Sequence, residues 1–105
     1  MLPLSLRIRF ALHTAQGCAY LHSFDPPIIH RDLKTGNLLV DSGWNVKVSD
    51  FGLARVQADQ TMSCCGTAVF CAPEVLTANK YSEKADVFSF AMPCCVVVVL
   101  ISAPV

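Results

Sequence analysis

His30-Arg31-Asp32-Leu33-Lys34-Thr35-Gly36-Asn37 sets an Asp, a Lys and an Asn in fixed register on one short polar stretch. Thirteen residues after Asn37 comes Asp50-Phe51-Gly52, and Ala72-Pro73-Glu74 closes the series. Each triplet alone is commonplace; the three in this order and spacing are not. Leu38-Leu39-Val40 and Val46-Lys47-Val48-Ser49 flank Asp41-Ser42-Gly43-Trp44-Asn45, whose Asp, Ser, Gly and Asn favour turn conformations, so a β-hairpin is predicted between the first two motifs. It places Asn37 just before one strand and Asp50 just after the other, where two oxygen-bearing side chains can face one site.

The pattern H-R-D-L-x-x-x-N, then D-F-G, then A-P-E resembles that of protein kinases, over roughly residues 4 to 92. The resemblance implies an α+β, protein-kinase-like fold, here a C-terminal lobe fragment, mainly helical with a small β-hairpin by the catalytic loop. Residues 1–92 would form a partial kinase domain and 93–105 a divergent apolar tail. The implied chemistry is transfer of the ATP γ-phosphate to Ser or Thr hydroxyls of a protein substrate, with Mg2+. Phosphoryl transfer asks a protein mainly to position groups and neutralise charge. By resemblance Asp32 is the catalytic base, and Asn37 and Asp50 hold both metal and nucleotide. Lys34 looks like the lysine of serine/threonine kinases that steadies the transferring phosphate, which makes it catalytic and cofactor-binding at once.

The same resemblance gives regulatory roles. Arg31 would receive a phosphorylated side chain from the segment after Asp50-Phe51-Gly52, through charge-assisted bidentate bonds, with Thr61 and Ser63 as acceptors. Thr67 would bond to the catalytic loop and favour Ser/Thr substrates. Asp86 matches the aspartate that braces the catalytic-loop backbone in this family; its plainer reading is a first-turn acid favoured by the helix dipole. His30 reads as a structural histidine rather than a general base. Tyr20-Leu21-His22 and Lys84-Ala85-Asp86-Val87-Phe88-Ser89-Phe90 resemble the tyrosine-kinase-like group, which is mostly Ser/Thr-specific.

Further from the motifs, Leu4, Ile8, Ala11, Ala15 and Cys18, widened by Leu12 and Ala19, recur at helical spacing and predict an amphipathic helix over about residues 4 to 22. Ser23 to Pro27 ends it, and Ile28-Ile29 leads into the loop. Residues 55 to 71 carry no clear period and read as a loop. Ser82 is the expected N-cap of a helix from Glu83 to about Met92, where Pro93 should stop it.

Two features depart from the kinase pattern. No G-x-G-x-x-G occurs, the five glycines standing singly at 17, 36, 43, 52 and 66, and no lysine lies on a V-A-I-K-like strand. The phosphate-covering N-terminal lobe is therefore expected upstream, and the isolated chain is expected to be inactive. The alternative is a non-catalytic remnant acting as a binding or regulatory module. The stretch from Val87 to Val105 holds no charged residue, which raises a third reading, a membrane-associated fragment. Pro93, Ser89, Ser102 and the lack of a basic flank argue against a span, and the glutamate of Ala72-Pro73-Glu74 lacks its usual arginine partner.

At 105 residues with formal net charge zero, the chain has no basic field to draw nucleic acid or acidic lipid. A 53% hydrophobic composition is too apolar for disorder. The six cysteines include the adjacent pairs Cys64-Cys65 and Cys94-Cys95 and form no C-x-x-C, so zinc is not expected and buried thiols are. A cytoplasmic location, where thiols stay reduced, goes with that expectation.

Overall fold

The computed structural model describes residues 2–50, 55–56, 72–74 and 82–98. Helix α1 (Leu4–His22) opens after Pro3, whose carbonyl accepts the Leu6 and Arg7 amides at 3.1 Å. Its end is set by Ser23, whose amide and hydroxyl both donate to the Tyr20 carbonyl, at 3.2 and 2.6 Å. The predicted bounds hold. Of the predicted inward face only Cys18 is buried; Leu4, Ile8 and Leu12 are each more than half exposed, and Arg7, Thr14 and Leu21 are buried beside Cys18. At 100° per residue the exposed stripe lies about 100° around the helix from the buried line. Burying Thr14 is made tolerable by its own helix, since its hydroxyl donates to the Phe10 carbonyl at 2.8 Å.

Strands β2 (Leu38–Val40) and β3 (Val46–Val48) form the predicted antiparallel hairpin, with Leu38 opposite Val48 and Val40 opposite Val46. Asp41 builds its turn: one carboxylate oxygen accepts the Gly43 and Asn45 amides, both at 2.9 Å. These bonds, with the Asn45 side-chain amide, hold the Asp41 carboxyl below the usual range. Strand β1 (Ile28–Ile29) pairs antiparallel with β4 (Arg55–Val56), Ile28 facing Val56 and Ile29 facing Arg55. The pairing corrects the expectation of loop throughout 55–71, of which residues 57–71 lie outside the described residues. A two-residue strand is too short to show a period.

Helix α2 (Glu83–Val98) starts where Ser82 caps it, the Lys84 amide donating to Ser82 Oγ at 3.2 Å. It then runs through Pro93 to Val98, against the expected stop at Met92. A proline inside a helix removes one i to i−4 bond, at a cost of about 3 kcal/mol. The remaining ladder and packing against α1 outweigh that cost here, and valines lose only tenths of a kcal/mol each in a helix. Residues 93–98, expected to begin a divergent apolar tail, thus continue the helix. Among the described residues no helix is long and apolar enough to cross a membrane.

α1 packs on β1, β3 and α2. Among the described residues the buried apolar groups are Cys18, Leu21, Ile29, Leu33, Val46, Ala72 and Ala85. α1 meets β3 at Gly17, where a Cβ would come within 3.0 Å of Val48 Cγ2. The resulting architecture is a pair of helices carrying a small antiparallel hairpin, and the polar stretch 30–37 runs between them.

Candidate active site

The loop from His30 to Asn37 is fastened at its start by a carboxylate far away in sequence. Asp86, on the first turn of α2 and only 2% exposed, accepts the His30 amide on Oδ2 at 2.7 Å and the Arg31 amide on Oδ1 at 3.1 Å. His22, from the last turn of α1, brings its Nε2 to 2.8 Å from the same Oδ2. Arg31 has φ 74, a left-handed conformation costly for a residue with a Cβ, of order 1–3 kcal/mol. Charge-assisted bonds from Asp86 to two successive amides are the kind of over-determination that holds such strain.

His30 is fully buried and both ring nitrogens face backbone groups. Nδ1 accepts the Asp32 amide at 3.1 Å, so the ring proton sits on Nε2 and donates to the Ser49 carbonyl at 2.8 Å. The imidazole therefore ties the loop to the end of β3. This agrees with its reading as a structural histidine.

Beyond the strained residue the side chains converge. Asn37 closes a single 3₁₀ turn (Thr35–Asn37), its amide donating to the Lys34 carbonyl at 3.0 Å. Its Nδ2 donates to the Asp32 carbonyl at 2.7 Å and to Asp32 Oδ2 at 3.3 Å. Lys34 Nζ lies 3.6 Å from that same oxygen. At 3.6 Å this half-buried pair is longer than a hydrogen bond, so its interest is its location. Both contacts fall on Oδ2, and among the described residues Oδ1 of Asp32 takes no hydrogen bond.

The hairpin supplies the other half. The Asn37 carbonyl accepts both the amide and the hydroxyl of Ser49, at 2.8 and 3.0 Å. Asp50 follows at once, exposed and with φ 63. The structure thus brings Asp32, Lys34 and Asn37 into direct contact and sets Asp50 one residue beyond the partner of Asn37. Because Nδ2 of Asn37 is spent on Asp32, its Oδ1 remains as an oxygen donor, and Asp50, one residue past Ser49, adds an exposed carboxylate. Two hard oxygen donors suit Mg2+, which keeps waters and phosphates in its shell and needs no all-protein cage. Among the described residues no group of three or more His, Cys, Asp or Glu side chains is placed to hold a metal.

Arg31 is buried, 8% exposed. Thr61, Ser63, Thr67 and Phe51 lie outside the described residues, so the activation-segment expectations on them stay as expectations. Glu74 is exposed and Ala72 buried. Reading the sequence missed His22 as a site-supporting residue. Its sequence signals were a place in the Tyr20-Leu21-His22 resemblance, with no role attached, and in the last helical turn, which the dipole already favours.

Comparison with known proteins bears on the whole chain. Residues 4–105 match the protein kinase domain family. Two relatives from Dictyostelium discoideum are similar over most of it. The protein named "Probable serine/threonine-protein kinase drkD" is 54% identical over 88 residues, 83% of this chain and 7% of the relative. "Probable serine/threonine-protein kinase drkA" is 52% identical over 89 residues, 84% of this chain and 14% of the relative. The chain therefore spans a small part of the length of the relatives it matches. Motif order, loop geometry and these similarities agree: the chain belongs to the protein kinase domain family.

Proposed function

We propose that this chain is the C-terminal-lobe, catalytic-loop portion of a protein serine/threonine kinase. The reaction is an in-line displacement: a substrate Ser or Thr oxygen bonds to the γ-phosphorus of ATP, the bond from that phosphorus to the β–γ bridging oxygen breaks, and ADP leaves. The hydroxyl proton passes to Asp32. The observation that carries this reading is the polarisation of the Asp32 carboxylate: Lys34 and Asn37 both hold Oδ2. Oδ1 is thereby the oxygen presented to the incoming hydroxyl, within a geometry fixed before substrate arrives. Lys34 adds positive charge beside the transferring group. Asn37 and Asp50 would hold Mg2+, which when bound neutralises phosphate charge.

In the same proposal the nucleotide-covering lobe is supplied by sequence outside these 105 residues, the substrates are proteins, and the location is cytoplasmic. Membership of the tyrosine-kinase-like group belongs to the proposal as well. The alternative reading is a non-catalytic remnant that binds or regulates.

The test is transfer of ³²P from γ-labelled ATP with Mg2+ to a serine- and threonine-containing protein such as casein, by the full-length product of the transcript encoding these residues. Asp32→Asn should lower turnover by about 10²–10⁴-fold without lowering the melting temperature. Near-normal turnover in that variant overturns the assignment. No transfer by the wild-type product favours the remnant.

A further inference from the structure

We propose that His13 is a positioning residue for the hairpin that carries Asn37 and Asp50, and that it holds the hairpin only while its imidazole is neutral. The register of the hairpin creates the need. Asp41 donates its amide to the Asn45 carbonyl and Ser49 donates to the Asn37 carbonyl, so Asn45 and Ser49 stand at hydrogen-bonded positions. By the alternation of an antiparallel pair, Val46, opposite Val40, stands at a non-hydrogen-bonded position and its N–H points away from β2. Among the described residues the sheet has no third strand on that side. Val46 is only 7% exposed, so its amide needs an acceptor from outside the sheet. His13 of α1, 33 positions earlier, supplies it: the Val46 amide donates to His13 Nδ1 at 3.2 Å.

One protonation state alone can do this. The amide is a donor, so Nδ1 presents its lone pair and the ring hydrogen sits on Nε2. An imidazolium carries N–H on both nitrogens, and a proton on Nδ1 would meet the Val46 N–H. Imidazoles ordinarily change charge between about pH 5 and 8. The ring is reachable from solvent: His13 is half-buried and lines a groove with Gln16 and Tyr20 of α1 and Asn45 and Lys47 of the hairpin. Among the described residues no carboxylate lines that groove to receive a second N–H. The charges around it are Lys47 and Arg9, one turn earlier on α1, whose Nη2 donates to Asn45 Oδ1 at 2.9 Å. The acid of the hairpin turn, Asp41, is already occupied by the Gly43 and Asn45 amides. On α2 the charged groups are Glu83, Lys84 and Asp86 in its first turn, beside His22 rather than His13, and β1 carries none.

His13 completes a junction. Phe10 stacks on Trp44 with ring centroids 6.3 Å apart, and Arg9 holds Asn45, so one face of α1 grips the hairpin from Trp44 to Val46. Of these contacts the one at His13 is broken by a proton. Asn37 precedes β2 and Asp50 follows β3, so a hairpin loosened from α1 no longer presents them in fixed register. That catalytic meaning rests on the proposed kinase reading; the junction itself does not.

The experiment is NMR on the full 105-residue chain at pH 7.5 and pH 5.0, comparing wild type with His13→Gln and His13→Ala. The side-chain carbonyl of glutamine accepts a hydrogen bond at either pH, and alanine accepts none. At pH 7.5 the imidazole ¹⁵N spectrum should show the His13 proton on Nε2. The protection factor of the Val46 amide, corrected for intrinsic exchange, should fall about tenfold in wild type on going to pH 5.0. In His13→Gln it should stay within about twofold of its value at pH 7.5, and in His13→Ala it should be low at both. The Ser49 amide, bonded to the Asn37 carbonyl at 2.8 Å, is the internal control and should keep its protection. Constant wild-type protection of Val46 overturns the proposal, as does a proton on Nδ1 at pH 7.5 or full protection in the alanine variant. A glutamine variant that is unprotected at pH 7.5, or that loses protection in acid as wild type does, also overturns it. So does an equal fall at Ser49, which marks a general loss of stability. Should the alanine variant not fold, the wild type and the glutamine variant decide by the same criteria. None of these readouts needs catalysis, so failure of the kinase reading, tested with Asp32→Asn, remains distinguishable.

Discussion

The Arg31 amide rests 3.1 Å from Asp86 Oδ1 while Arg31 itself stands at φ 74. A strained residue and a buried carboxylate 55 positions away thus stabilise one another. Relaxing Arg31 would strip the carboxylate of a donor, and removing the carboxylate would leave the strain unopposed. The direction in which Asp32 points depends on that pair.

Asp86→Ala is therefore expected to cost more than an ordinary surface change. It leaves the buried His30 and Arg31 amides without their acceptor and His22 without its partner. The expected loss is about 3 kcal/mol or more of unfolding free energy, read as a lower urea midpoint. A loss within about 0.5 kcal/mol, the size typical of uninvolved surface positions, would show that Asp86 does not brace the loop.

Much of this architecture is written locally. The end of α1 follows from Ser23 and the prolines after it, the hairpin from Asp41 to Asn45, and the start of α2 from Ser82, because each is decided by the chemistry of adjacent residues. The contact set of the site was legible as motif spacing, since the hairpin converts a thirteen-residue separation into proximity. The inward face of α1 was not legible. Leu4, Ile8 and Leu12 share the helical period of the buried line, and only packing against β3 and α2 selects between the stripes. Nor was the positive φ of Arg31, which no side-chain preference requires and which the bonds from Asp86 hold. Pro93 misled for the complementary reason: a local penalty was outweighed by packing along the rest of its helix.

Cys18 gives a pH-dependent expectation. Burial, and then the negative charge of Asp86, push its thiol up to about 12 from an ordinary 9.0. Its contribution to stability is whole below pH 9, where the thiol is neutral in both states. It declines as pH rises from 9 towards 12, because the unfolded chain can ionise and the folded one resists. Urea midpoints between pH 8 and 11 should fall in the wild type more steeply than in Cys18→Ala. The native thiol should also resist iodoacetamide at pH 8, seen by mass spectrometry of the peptide containing Cys18. Equal slopes in the two proteins, or rapid alkylation of native Cys18, would refute the buried neutral thiol.

Asp41 gives the opposite sign. Its folded carboxyl titrates below the ordinary 3.8 because the Asn45 amide, the Asn45 side chain and the Gly43 amide all donate to it. The stabilisation of the hairpin turn is present above that ordinary value and is lost as pH falls through the lower folded one. Asp41→Ala should flatten the acid limb of the stability curve below pH 4 and speed exchange of the Asn45 amide. An acid limb unchanged by the substitution would show that the turn does not depend on the carboxylate.

Gly17 tests the packing of α1 against β3. In a helix, alanine is preferred over glycine by about 1 kcal/mol, so an open site would gain from Gly17→Ala. Here the added methyl would sit 3.0 Å from Val48 Cγ2, and a valine side chain has little rotamer freedom with which to yield. Overpacking of this kind costs about 1–3 kcal/mol, enough to cancel or exceed the helical gain, so Gly17→Ala should leave stability unchanged or lower it. Val48→Ala alone should be destabilising through the cavity it opens. The double variant should be more stable than the sum of the two singles by about 0.5–3 kcal/mol, because each change relieves the other. Strict additivity in that cycle, measured by urea unfolding, would mean that α1 and β3 do not meet at this pair.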